Sequence, residues 1–119
     1  MANKQIEELR AIINSGEIPN ASTCWGMHEG GFLDKNPETM ENVDTAMFYI
    51  VTPHALHASW LMMRLKEIFE SIKYSGNRYD FYIPVLESAQ AAVKQDPDIS
   101  VVDLCNIILD SAEKFFLKQ

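Results

Sequence analysis

Apolar residues recur at intervals of three and four along most of the chain, which is the spacing of one face of an α-helix. The first such stripe follows Asn3, a residue type that caps helix N-termini, and it stops at Ser15-Gly16. Its members are Ile6, Leu9 and Ile13. The pattern predicts a short amphipathic helix before Gly16.

Four more helices follow from the same spacing and from capping residues, over about 37–50, 53–75, 80–95 and 100–117. Asn36-Pro37 is a typical helix start. Thr52-Pro53 either separates two helices or kinks one long helix, and a capping role for Thr52 favours separation. Ser100 and Asp103 resemble a capping box. Residues 78–83 alternate like a strand, but a lone strand has no partner, so we assign them to the approach and first turn of a helix.

Residues 17–37 fit no helical spacing. They hold three of the five glycines together with aromatic and aliphatic residues, which is too much apolar content for a solvated linker. We therefore expect a long ordered loop that folds back over the helices. The predicted fold is all-α, an irregular bundle of about five helices with this loop between the first two, in a single domain covering residues 1–119.

Composition narrows the class of protein. The chain is 47% hydrophobic and carries a formal charge of −7, so nucleic-acid binding is not expected. No apolar run reaches the roughly 18 residues of a membrane span, and the N-terminal residues are too polar for a secretory signal. We expect a cytoplasmic protein without membrane contact, in which Cys24 and Cys105 are free thiols.

Several possible catalytic or ligand motifs are weak. The glycines at 26, 30 and 31 lack the spacing of a dinucleotide loop and the lysine of a phosphate loop. The aromatic residues between 74 and 82 are interleaved with only two cations, so we assign them to a helix junction rather than to base stacking. No metalloprotease, serine-hydrolase or catalytic cysteine motif is present, and we expect a non-enzymatic protein without a cofactor.

One alternative is a metal site. Cys24 and His28 are spaced C-x3-H, and His54 and His57 are spaced H-x2-H at a predicted helix start. Together they would supply four ligands for tetrahedral zinc. The spacing matches no standard zinc finger, so zinc binding is the second hypothesis.

The leading hypothesis is a protein-interaction module, such as an adaptor, an immunity-like protein or an inhibitor. Residues 17–44 carry one positive and six negative charges, which suits a partner protein with a basic surface. An aromatic loop residue flanked by acids is a typical interface anchor. The residues expected to contact the partner are Trp25, His28, Glu29, Phe32 and Asp34. Inhibition by mimicry of a nucleic acid is a special case.

Self-association follows from surplus apolar helix surface. Residues 60–63 are apolar on every side of their helix, and seven of the nine residues 101–109 are apolar. Two such helices are hard to enclose completely in a chain of this length. A homodimer is the simplest way to cover what remains, although the loop at 17–37 could cover it instead.

Overall fold

The computed structural model describes residues 2–22 and 50–119, in which four helices and no strand are found. The helices are α1 (Ala2–Ser15), α2 (Ala55–Ser71), α3 (Tyr79–Gln95) and α4 (Val101–Leu117). The all-α prediction is confirmed for these residues, with four helices against the five expected. The helix predicted at about 37–50 lies outside the described residues, apart from the buried Ile50.

The C-terminal helix α4 lies at the centre of the bundle, because α1, α2 and α3 each pack against it. Residues that bury side chains occur along its whole length, from Leu104 to Phe116. Removing this much apolar surface from water is the main stabilising contribution to such a fold. The apolar run at 101–109 is therefore used mostly inside the chain.

Side-chain contacts give the directions of the helices. Asn106 donates to Asn14 at 3.0 Å, and Arg10 lies 3.0 Å from Asp110, so α1 is antiparallel to α4. Ser88 donates to Ser111 at 3.2 Å, and Phe81 at the start of α3 lies 5.2 Å from Phe116 at the end of α4, so α3 is also antiparallel to α4. The helix α2 is parallel to α4, since Phe69 near the C-terminal end of α2 contacts Phe115 near the C-terminal end of α4.

Capping residues occur at most helix ends as predicted, but the cap predicted at Asn3 is wrong, because α1 begins at Ala2 and Asn3 lies within its first turn. Gly16 follows α1 with φ +82°, a conformation that favours glycine, and its N–H donates to the carbonyl of Ile13 at 3.1 Å. The Ser100 hydroxyl accepts from the backbone N–H of Asp103 at 3.1 Å and caps α4. The uncertain stretch at 78–83 is helical from Tyr79, whose N–H donates to the Asn77 side chain at 2.8 Å.

The helix predicted over 53–75 is shorter at both ends. Thr52 was expected to cap it directly, with Pro53 as its first residue. Instead the Thr52 hydroxyl accepts from the N–H of His54 at 3.1 Å in a preceding turn, and α2 begins at Ala55. At the other end α2 stops at Ser71, because Lys73 takes a positive φ of 52° that an α-helix cannot continue through.

Aromatic rings fill the end of the bundle where α2 meets α3. Phe69 and Phe81 stack with centroids 5.0 Å apart, and Phe116 lies 5.2 Å from Phe81. The Arg78 guanidinium lies 5.6 Å from the centre of the Tyr79 ring, a cation–π contact. The assignment of this aromatic stretch to a helix junction is confirmed.

The first residues of the predicted loop pack against the beginning of α2. Ile18 is buried, and the N–H of Ala21 donates to the carbonyl of Leu56 at 3.0 Å. Residues 17–22 thus fold back onto the helices as expected, while residues 23–37 lie outside the described part of the chain. Among the described helices, none combines the length and the apolar character that crossing a bilayer requires.

Candidate interaction groove

A groove separates α1 from α2, the two helices that make few contacts with each other although both pack on α4. The two helices contact each other little because each buries its apolar face against the core. The stripe of α1 that contains Ile6 and Ile13 is directed at the core, and Leu61 and Leu65 of α2 are likewise fully or almost fully buried. The facing flanks of the two helices are left partly open to solvent.

The part of the groove beside Trp60, called the Trp60 cavity below, has a volume of about 200 Å³. Leu9 and Ile12 of α1 and Ile68 of α2 supply its apolar surface, and the half-buried ring of Trp60 forms one side. Polar groups border it on both helices, namely Gln5, Glu8, Arg64 and Glu67. An apolar centre with a few polar groups at its edge is typical of a binding surface.

The groove continues towards the N-terminal end of α1. A second, wider cavity of about 580 Å³ shares Gln5 with the first and is lined also by Ala2, Lys4, Ser71 and Ile72. The lining residues of α1 thus run from Ala2 to Ile12, which at 1.5 Å per residue corresponds to about 15 Å. This length matches roughly three turns of a second helix.

The charges of the groove are partly paired. Arg64 Nη2 lies 2.9 Å from Glu67 Oε1 within α2, whereas Arg64 Nε is buried and has no hydrogen-bond partner among the described residues. Neither Lys4 nor Glu8 forms an ion pair with any residue in the described part of the chain. The carboxylate of Glu8 therefore lies beside apolar surface, and it forms no ion pair with a cation of the described residues.

Trp60 belongs to an outward-facing stripe of α2. Leu56, Trp60 and Met63 follow at spacings of four and three residues, which places them on one side of the helix. Leu56 is 41% exposed, and the other two are half-buried. Of the apolar run at 60–63, Leu61 and Met62 are fully buried, so roughly half of the predicted surplus is core and half borders solvent.

The two described histidines hold neighbouring segments against the N-terminal end of α2. His54 Nε2 lies 2.9 Å from the carbonyl oxygen of Ile99, just before α4. His57 Nδ1 lies 2.8 Å from the carbonyl oxygen of Ile18, just after α1. Because a carbonyl only accepts, each of these nitrogens carries the ring proton.

The predicted zinc ligands are only partly visible. Within residues 2–22 and 50–119 no group of three or more His, Cys, Asp or Glu side chains is arranged to hold a metal ion. Cys24 and His28 lie outside the described residues, so the four-ligand set stays a prediction. His54 and His57 each use one ring nitrogen in the backbone contacts above, and those contacts explain their positions without a metal.

The residues predicted to bind a partner protein, Trp25, His28, Glu29, Phe32 and Asp34, all lie outside the described residues. The groove residues were not singled out from the sequence. The sequence pattern indicates Trp60 only as part of the apolar run at 60–63, and it does not indicate Glu8. Their meeting across two helices depends on how α1 and α2 diverge, which the periodicity of either helix does not reveal.

Cys105 is not a candidate for chemistry. The thiol is buried in the N-terminal third of α4, and burial raises its pKa to about 12. A thiolate is the reactive form of cysteine, so this group is held in its inert state.

Comparisons with protein-family models, with curated protein sequences and with solved structures each find no match.

Proposed function

We propose that this chain is a non-enzymatic protein-interaction module that binds a helical segment of a partner protein with basic side chains. The observation that carries the proposal is the groove between α1 and α2, where the half-buried Trp60 borders an apolar surface. Glu8 lies at the edge of this surface and pairs with no cation among residues 2–22 and 50–119. An adaptor, an immunity-like protein or an inhibitor would each use such a surface.

The dimensions favour a helix as the bound element. The groove is elongated, with about 200 Å³ in the Trp60 cavity and about 580 Å³ in its extension, and this shape suits the side chains of a helix that lies along it. Amphipathic helices bind in grooves of this kind by inserting anchors at one-turn intervals. Trp60 suits the anchor position, since tryptophan is enriched among residues that dominate binding energy.

Charge favours a basic partner. The chain carries a formal charge of −7, and the Trp60 cavity adds two carboxylates, Glu8 and Glu67, against the cation Arg64, while Lys4 lines the extension. A negative field raises the association rate of a positively charged partner and weakens with salt. The acidic segment at 17–44 would contribute to the same field.

Selection of helical peptides displayed on phage against the full-length chain tests the proposal. We expect binders that combine large apolar residues with Lys or Arg, and we expect Trp60→Ala to weaken their binding at least tenfold. Leu56→Ala is the matched control, because Leu56 lies on the same helix, is exposed and does not line the groove. Its binding should stay within about twofold of the parent protein.

Two results would overturn the proposal. One is the absence of any binder. The other is a set of binders whose affinity does not respond to Trp60→Ala, and the double variant Trp25→Ala with Glu29→Lys would then show whether the predicted loop binds them instead.

The predicted homodimer remains a prediction. The exposed Leu56 and Val51 at the start of α2 are the apolar side chains that a second copy would cover. Native mass spectrometry of the untagged protein tests this, since one spectrum reports the number of subunits and any bound metal.

A further inference from the structure

Three residues of α1 with different chemistry follow one another along the groove. Lys4, Glu8 and Ile12 are each four residues apart, so they lie on one side of the helix at intervals of about 6 Å. All three line the groove or its extension. Read from the C-terminal end, this edge of the groove is apolar, then negative, then positive.

The opposite wall changes this pattern little. Trp60 adds apolar surface to the Ile12 end, while Arg64 and Glu67 of α2 neutralise each other in an ion pair of 2.9 Å. The Trp60 cavity is lined by Glu8, Glu67 and Arg64, for a net charge of −1, and the extension is lined by Lys4, for a net charge of +1. Glu8 and Lys4 therefore determine the order of negative and positive charge along a bound helix.

The two charged residues of α1 do not form an ion pair with each other. Lys4 and Glu8 have the four-residue spacing of a helical ion pair but form none in the structure. A lysine preceding a glutamate is also the less favourable order for such a pair. Within the part of the chain that the structure describes, both charges are thus available to a partner.

We infer that the groove recognises a partner helix with an acidic residue, a basic residue and a large apolar residue at successive intervals of four, running parallel to α1. The apolar residue enters between Ile12 and Trp60, the basic residue pairs with Glu8, and the acidic residue pairs with Lys4. This inference rests on the proposed function and names the partner sequence that the function requires. The acid-before-base order is also the one that stabilises an isolated helix.

Two alanine-rich helical peptides of about 20 residues test the inference, a length at which isolated helices become stable in water. One carries glutamate, lysine and phenylalanine at intervals of four. The other has the same composition with the glutamate and lysine exchanged. Fluorescence anisotropy of labelled peptides measures binding to the full chain and to the charge-exchanged double variant Lys4→Glu with Glu8→Lys, whose substitutions fall on exposed positions.

The parent protein should bind the first peptide about fivefold more tightly than the second, the range expected for two exposed ion pairs. The double variant should show the reverse preference to a smaller extent, because its exchanged charges take the order that favours pairing within α1. Both preferences should disappear in 1 M NaCl. Equal binding of the two peptides that is still lost in Trp60→Ala would overturn the inference and leave the proposed function intact.

Failure of both peptides to bind, or binding that does not respond to Trp60→Ala, would count against the inference and the proposed function together. A dimer that Trp60→Ala dissociates, combined with no peptide binding, would show that the groove receives a second copy of the chain instead.

Discussion

His57 donates from Nδ1 to the main-chain carbonyl of Ile18, 2.8 Å away, and so joins the segment after α1 to the first turns of α2. The carbonyl of Pro19 lies 3.2 Å from the same nitrogen. The contact spans 39 residues of sequence. It helps to fix where α1 ends relative to α2, and therefore how far the groove between them opens.

Replacement of His57 by alanine should lower the free energy of unfolding by about 1–2 kcal/mol, because a part-buried carbonyl then loses its donor. Asparagine places an amide N–H near the position of Nδ1 and should recover at least half of the loss. Urea unfolding of the three proteins measures both effects. Equal destabilisation by alanine and asparagine would show that ring packing, not the hydrogen bond, is what matters at this position.

Ser100 caps α4, the helix on which the other three pack, through the 3.1 Å bond from the N–H of Asp103 to its hydroxyl. Ser100→Ala should destabilise the protein by about 1 kcal/mol, since one backbone donor at the helix start is left without its acceptor. Ser100→Asp keeps an acceptor and should stay close to the parent protein. Thermal and urea unfolding report the difference, and an unchanged Ser100→Ala protein would contradict the capping role.

The cap at Ser100 was predictable because it depends on residues three positions apart, and the same holds for Gly16 at the end of α1. The ends of α2 were predicted less well. Thr52 can cap a helix at either of two positions, and no local pattern indicated that Lys73 takes a positive φ. A helix cap can thus be predicted from the sequence where the capping residue fits only one position at the helix end.

The groove could not be predicted in the same way. Its polar and apolar members, Glu8 and Trp60, are 52 positions apart in the sequence and meet only because both of their helices pack on α4. The sequence did show more apolar residues around Trp60 than one buried face of a helix needs, and the half-buried Trp60 is one of them. The side of α1 that would face it depends on the rotation of α1 about its own axis.

Gly76 leaves room for the ring of Tyr74, whose hydroxyl donates to Asp80 Oδ2 at 2.8 Å. A Cβ atom at position 76 would lie 2.6 Å from Cε2 of Tyr74 and 2.9 Å from Oδ2 of Asp80. Gly76→Ala should therefore displace the ring and break the hydrogen bond. That bond is the main cause of the raised pKa of Tyr74, because it favours the protonated phenol.

The pKa of Tyr74 should accordingly fall towards its ordinary value in Gly76→Ala, as followed by NMR of ring-labelled tyrosine. Asp80→Asn removes the carboxylate without adding a Cβ and should shift the pKa in the same direction. A pKa that falls in Asp80→Asn but stays raised in Gly76→Ala would mean that the ring and the carboxylate move together.

Cys105 should be protected from thiol reagents by the fold. In a Cys24→Ser background Cys105 is the single thiol of the chain. With a pKa of about 12, only about one in ten thousand of these thiols is ionised at pH 8. Labelling by a disulfide reagent should be very slow in buffer and rapid in 8 M urea, and rapid labelling of the native protein would contradict the burial of Cys105.

The same thiol should make the protein less stable in alkali. The pKa of Cys105 is about 12 in the folded chain against an ordinary value of 9.0, so its contribution to stability is complete below about pH 9 and is lost as the pH rises towards 12. Between these values the unfolded chain releases a proton that the folded chain keeps, which favours unfolding by about 1.4 kcal/mol per pH unit.

Cys105→Ala lowers stability at pH 8 by creating a cavity, but its stability lacks this dependence on alkaline pH. The stability difference between the Cys24→Ser protein and its Cys105→Ala derivative should therefore shrink by about 1 kcal/mol between pH 9.5 and 10.5, as measured by urea unfolding. Other alkaline groups titrate in both proteins and cancel in the comparison, so a constant difference would show that the thiol ionises within the folded chain at its ordinary pKa.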